Sequence, residues 1–267
     1  LTTEPSAHEV ALDSPDYQRY SAYEVESQPG GPYQQFLDWS GNVEFRRSKA
    51  TGIALFLLLI AYPIFSVAFA GDPEDLKLLE NDTVLLFTLI ATIMMQWMMF
   101  LLLYVATYRE QTFLRGLGLK KLRGTDIAWA ISFLLVANLI LLALAWILAQ
   151  LGMPMPGEIQ FLIPEDTTGR IVWVMVSATA GFCEEIAFRG YLMTRLRILG
   201  KTKTWLMPVV VSSLTFGILH AYQSLPGVII LSVYGLMFAL LYIRTRSLWP
   251  CIIAHFFQDF TALFIPQ

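Results

Sequence analysis

The sequence predicts an all-α fold: a polytopic transmembrane helix bundle of about seven spans, or eight helices if a short basic segment also folds, preceded by a disordered N-terminal tail. Three observations carry this. The 267 residues are 56% hydrophobic and 15% charged, the mean hydropathy is +0.57, and the apolar residues gather in runs too long for a soluble core. The net charge of −3 says little, because acids and bases are segregated along the chain. The lipid bilayer is the expected surrounding, and no nucleic-acid partner is expected.

Residues 1–45 are rich in Pro, Ser, Gln and Tyr and hold eight acids against one base, Arg19. That composition cannot bury a core and reads as a disordered tail. No apolar run lies near its start, so Ala50 onward is expected to act as the first signal anchor. Phe36, Leu37, Trp39 and Phe45, close to Arg46, Arg47 and Lys49, suit the headgroup region; a loosely held linker is the alternative. The spans follow at roughly 50–70, 83–108, 126–150, 169–188, 204–222, 226–243 and 249–265, each near the ~20 residues a crossing helix needs. Residues 46–168 hold the N-terminal spans, and 169–267 hold those that carry chemistry.

Basic residues orient the bundle, since cytoplasmic loops hold the Lys and Arg excess. Arg46, Arg47 and Lys49 precede the first span. Arg109, Arg115, Lys120, Lys121 and Arg123 follow the second, Arg195, Arg197, Lys201 and Lys203 the fourth, and Arg244 and Arg246 the sixth. All fall on one side, which places the N-terminus in the cytoplasm. The other side receives Lys77, among Asp72, Glu74, Asp75, Glu80 and Asp82, and Arg170. Phe113, Leu114, Leu117 and Leu122 alternate with bases over 109–124, as in an interfacial helix.

The chemistry lies in the last 85 or so residues. Glu184, Glu185 and Arg189 stand inside an apolar run, where each charge costs on the order of 2.5–3.5 kcal/mol and marks a functional site by default. Glu185 and Arg189 are i and i+4 and share a helix face, while Glu184 is turned by about 100°. Glu185 with Arg189 therefore suits a structural pair, and Glu184 is left for chemistry. His220 and His255 lie in or at the ends of spans, and His255 has Asp259 at i+4. Imidazole beside a carboxylate suits proton transfer or oxyanion stabilisation. His8, in the tail, is expected to be solvated, and Cys183 and Cys251 to be packing residues.

Chain lengths suggest that a hairpin from Glu184 returns to His220 at matching depth. His255 lies only six residues past Trp249 and fits less well. Reaching the same depth requires a tilted helix or a 244–249 loop that dips into the interior.

The runs Glu184-Glu185-x-x-x-Arg189, Phe216-x-x-x-His220 and His255-x-x-x-Asp259, in that order on successive spans, resemble the three motifs of the CPBP family of intramembrane proteases. That family takes in type II CAAX prenyl endopeptidases, lysostaphin-resistance-type membrane proteins and bacteriocin self-immunity proteins. The resemblance covers about residues 170–265. It implies an intramembrane endopeptidase acting on a membrane peptide or a lipidated protein. Glu184 and His220 would activate water, His255 and Asp259 would hold the oxyanion, and Arg189 would fix Glu185. Asp259 stands where the family often has Asn, replacing an amide donor by a carboxylate. Glu184, His220, His255 and Asp259 are also a donor set for zinc; metal-independent hydrolysis, needing no cofactor, is the reading taken. The alternatives are a catalytically silent immunity or binding protein and a proton-coupled transporter, the latter disfavoured by the lack of an inverted repeat.

Overall fold

The computed structural model describes residues 48–264 apart from 69, 71–76, 111, 156–161, 201 and 203. The tail of residues 1–45, together with Arg46, Arg47, Asp72, Glu74, Asp75, Lys201 and Lys203, lies outside the described residues. Among those described there is no strand. The helices are α1 (Lys49–Ala68), α2 (Asp82–Glu110), α3 (Phe113–Gly116), α4 (Gly124–Gln150), α5 (Thr167–Leu199), α6 (Leu206–Ile218), α7 (Ser224–Thr245) and α8 (Trp249–Thr261).

The expected crossings correspond to the helices other than α3, but they are unequal. Five are long and apolar enough to cross a membrane: α1, α2, α4, α5 and the segment Ala221–Thr245 that contains α7. The α6 and α8 helices have 13 residues each, about 20 Å at 1.5 Å per residue, less than the ~30 Å of a hydrocarbon core. The α5 helix is longer than expected, running to Leu199.

Local chemistry sets the ends. Ser48 caps α1, its Oγ accepting from the Thr51 amide at 3.1 Å. Asn81 Oδ1 accepts from the Thr83 and Val84 amides at the start of α2. Asp166 Oδ1 takes the Thr168 and Gly169 amides at 2.9 and 3.0 Å, which starts α5. Gly152, at φ +78°, supplies the left-handed residue after α4. Within α1 the chain widens to a π-helix over Leu57–Ala61, just before Pro63, whose ring cannot follow a regular α turn.

The α5 and α7 helices are central, and α1, α2 and α4 form the outer wall. A larger share of α5 than of α4 is buried. The outward faces carry large apolar side chains such as Met98, Leu139 and Leu142, each more than two-thirds exposed, as lipid-facing helices must. Leu103, Phe133, Tyr191, Phe216, Phe238 and Cys251 share one core, so spans from both ends of the chain enclose it.

The basic segment after α2 does not form the expected interfacial helix. It makes one helical turn and then enters the bundle. Leu117 is fully buried. The carbonyls of Leu117, Gly118 and Lys120 accept from Tyr242 Oη, the Leu248 amide and Trp249 Nε1, respectively. The 246–248 turn therefore lies inside the protein, with Ser247 and Leu248 buried. Arg246 makes the reversal at φ +54°. This is the inward-dipping loop that the depth of His255 requires.

Candidate active site

The paired glutamates end the regular part of α5, and residues Ile186–Leu192 follow as a π-helix, a distortion that concentrates at functional sites. Hydroxyls line the widened turn: Ser212 Oγ donates to the Phe188 carbonyl at 3.1 Å, and Thr194 Oγ1 donates to those of Gly190 and Tyr191. One turn before Glu184, Gly181 lies against the α8 backbone. A Cβ there would stand 2.9 Å from the Ile252 oxygen and 3.0 Å from the Phe256 nitrogen. That contact brings the carboxylates of α5 beside the imidazole of α8.

Glu185 and Arg189 are fully buried and paired, Nη1 to Oε1 at 2.8 Å. The Arg189 guanidinium also donates to the Gly235 carbonyl at 3.3 Å. It lies 4.4 and 4.9 Å from the ring centroids of Phe216 and Phe238, contacts that hold a desolvated cation. The same Glu185 Oε1 lies 2.8 Å from His255 Nδ1. A carboxylate oxygen accepts, so Nδ1 carries the proton and Nε2 is turned to the other side of the ring. Phe238 stacks on that ring at 5.5 Å, and Phe216 meets it edge-on at 6.1 Å.

His255 Nε2 faces Glu184 Oε2 at 3.9 Å and Asp259 Oδ2 at 3.6 Å. Both separations exceed a direct hydrogen bond. The Glu184 and Asp259 side chains are 20% and 31% exposed, where Glu185 is closed off. The geometry thus separates a sealed Glu185–Arg189 layer from an accessible Glu184–Asp259 layer, with His255 between them.

His220 stands just past the end of α6, and its Nδ1 lies 2.8 Å from the Phe216 carbonyl. A carbonyl can only accept, so Nδ1 donates and Nε2 is the free lone pair of the neutral ring. The Phe216 ring lies 5.1 Å from that of His220 and bridges the two histidines. Among the described residues no hydrogen bond links His220 to Glu184. The Ser66 hydroxyl of α1 holds the Leu219 carbonyl just before His220 at 2.9 Å.

Two features were not anticipated from sequence. Gln96 of α2 donates from Nε2 to Glu184 Oε1 at 2.7 Å; its signal was a lone amide within Met94-Met95-Gln96-Trp97-Met98-Met99. Arg195 and Arg197, read from sequence as loop charges, are buried in α5, where partners inside the bundle hold them. Arg195 donates to Glu110, which also accepts from Tyr191 Oη and Thr51 Oγ1, both at 2.7 Å. Arg197 lies over the Trp205 ring at 4.2 Å. Cys183 and Cys251 are free and buried.

The donor types of Glu184, His220, His255 and Asp259 suit zinc, and both histidines present Nε2 with Nδ1 engaged, as ligating histidines do. Their placement does not fit it. Among the described residues no three His, Cys, Asp or Glu side chains converge closely enough to hold a metal ion.

Comparisons with known proteins fall on this region. Residues 166–261 match the family described as Type II CAAX prenyl endopeptidase Rce1-like. Over 223 residues, 78% of this chain and 82% of the relative, the sequence is 28% identical to a Bacillus subtilis (strain 168) protein named "Putative membrane peptidase YdiL". No solved structure matches. The match spans all three motifs and the helices that bring Glu184, Glu185, His255 and Asp259 together; the chain is an integral membrane protein whose residues 166–261 are similar to the type II CAAX prenyl endopeptidase Rce1-like family.

Proposed function

We propose that the protein is an intramembrane endopeptidase that hydrolyses a peptide bond of a membrane-embedded or membrane-anchored substrate without a metal. Glu184, with His220, takes a proton from water as it attacks the scissile carbonyl. His255, with Asp259, stabilises the tetrahedral oxyanion. The observation that carries this reading is the position of His255: its Nδ1 is held by Glu185 while Nε2 faces Glu184 and Asp259 across 3.9 and 3.6 Å. Both separations exceed a hydrogen bond, so Nε2 and the two carboxylates are uncommitted to one another and can share a reacting group on their open side. With Nδ1 committed to Glu185, a proton on Nε2 gives the ring a second donor aimed at that side. A donor held in apolar surroundings needs no reorganisation as charge develops, and such donors contribute roughly 10²–10³ in rate.

The free Nε2 of His220 suits acceptance of a proton from water, directly or after Glu184. Asp259, in its carboxylate form, supports His255 electrostatically and leaves donation to the imidazole. Arg189 neutralises Glu185 and stays out of the chemistry. The N-terminus lies in the cytoplasm in this reading, because the basic flanks favour that side.

The test uses purified protein in phospholipid vesicles with single-span reporter peptides, prenylated and unprenylated. The wild type cleaves at least one of them, and Glu184→Gln and His220→Ala cleave none. Activity persists after exhaustive dialysis against a chelator. Loss on chelation that stoichiometric zinc restores would overturn the metal-free mechanism. Cleavage by Glu184→Gln would overturn the base assignment, and proton-coupled uptake without any cleavage would point to transport.

A further inference from the structure

We propose that Gln96 is a positioning residue for Glu184, so that the N-terminal spans supply part of the site although they lie outside the matched region 166–261. The inference rests on the assignment of Glu184 as base. Gln96 Nε2 donates to Glu184 Oε1 at 2.7 Å, whereas the other oxygen, Oε2, faces His255 Nε2. The two carboxylate oxygens are thereby made unequal. One is anchored to α2, and the other is presented to the space where water would be activated.

Three further facts support the assignment. The amide has one orientation available, because a carboxylate accepts and only the NH2 end can donate to it. Gln96 is 8% exposed, and its Oε1 is buried without a partner among the described residues, an arrangement costly for an amide that served packing alone. The α2–α5 contact is pinned around the bond: Phe182, two residues before Glu184, lies 6.0 Å from the Trp97 ring and 5.3 Å from that of Phe100. Glu184 is partly exposed and makes no other hydrogen bond among the described residues. Without Gln96 its side chain is free to leave the productive rotamer.

The test compares wild type, Gln96→Met, Glu184→Asp and the double variant on the single-span reporter peptide in phospholipid vesicles. Gln96→Met is expected to lower kcat roughly 10- to 100-fold, with KM changed by less than about 3-fold, the signature of misplacement at the reacting centre. In the Glu184→Asp background the shorter carboxylate no longer reaches the amide, and the same substitution costs less than about 3-fold. Gln96→Asn, which keeps the amide but draws it back by one carbon, gives the same kcat loss and serves where Gln96→Met does not fold. An equal loss in both backgrounds, or a change confined to KM, overturns the proposal and leaves Gln96 a packing residue. If Glu184→Gln is inactive while Gln96→Met cleaves like wild type, the positioning role alone fails. If Glu184→Gln is active, the assignment of the base fails instead.

Discussion

Glu185 Oε1 lies 2.8 Å from His255 Nδ1, joining two residues 70 positions apart in the chain, and the same oxygen takes the Arg189 guanidinium at 2.8 Å. Adjacent glutamates on α5 are thus divided by burial: Glu185 is sealed with two nitrogen partners, and Glu184 opens toward the accessible side.

That division predicts different costs for the two positions. Glu185→Ala strands a buried guanidinium and should destabilise the protein by about 3–5 kcal/mol. Glu184→Ala removes one hydrogen bond at a partly exposed site and should cost no more than about 2 kcal/mol. Thermal unfolding in detergent reads the difference. Equal melting of the two variants would refute the separation into sealed and accessible layers.

Helix approach gives a second prediction. A Cβ at Gly181 meets backbone atoms of α8 at 2.9 and 3.0 Å, which cannot rotate away as a side chain can. Gly181→Ala should push α5 from α8 and lower cleavage roughly 100-fold, the scale of an ångström-level misplacement. Gly52→Ala, where nothing lies within 4 Å, is the control and should cleave like wild type. Matching activities of the two variants would show that the α5–α8 contact does not position the site.

Much of this site was legible in the sequence, and the reason is energetic. Glu184, Glu185, Arg189, His255 and Asp259 stand out because charge is expensive in an apolar run, and the i, i+4 spacing pairs Glu185 with Arg189 without a structure. The Glu185–His255 bond was not legible, because it depends on a buried 246–248 turn held by carbonyls of residues 118 and 120. Gln96 was missed because an uncharged amide raises little alarm in a hydropathy reading. Arg195 was misread because a cation near a span end resembles a loop charge until its partner, Glu110, is found 85 residues away.

The Glu110–Arg195 pair gives a third prediction. Both side chains are fully buried, and Tyr191 and Thr51 complete the shell around Glu110. Glu110→Leu alone should cost about 3–5 kcal/mol, and the double variant with Arg195→Met much less than the sum of the singles, since no lone charge remains. A thermal-unfolding double-mutant cycle measures this. Additive losses would mean that the two charges are not coupled.

Asp259 supplies a fourth. Asp259→Asn exchanges a carboxylate for an amide that can itself donate to an oxyanion, and it should cleave within about 10-fold of wild type. Asp259→Leu removes both the charge and the polar group beside His255 Nε2, and it should lose roughly 10²–10³ in kcat. Initial rates on one reporter peptide check both. An inactive Asp259→Asn together with an active Asp259→Leu would reverse the role given to this position.

The central claim is that Glu184 acts as the base of a membrane peptidase. It is tested most directly by comparing, by mass spectrometry, the membrane peptides released by cells making the wild-type protein and by cells making Glu184→Gln at equal folded abundance. A set of cleaved peptides is expected with the wild type and is expected to be absent with Glu184→Gln. The same peptides released at the same level by both would contradict that claim.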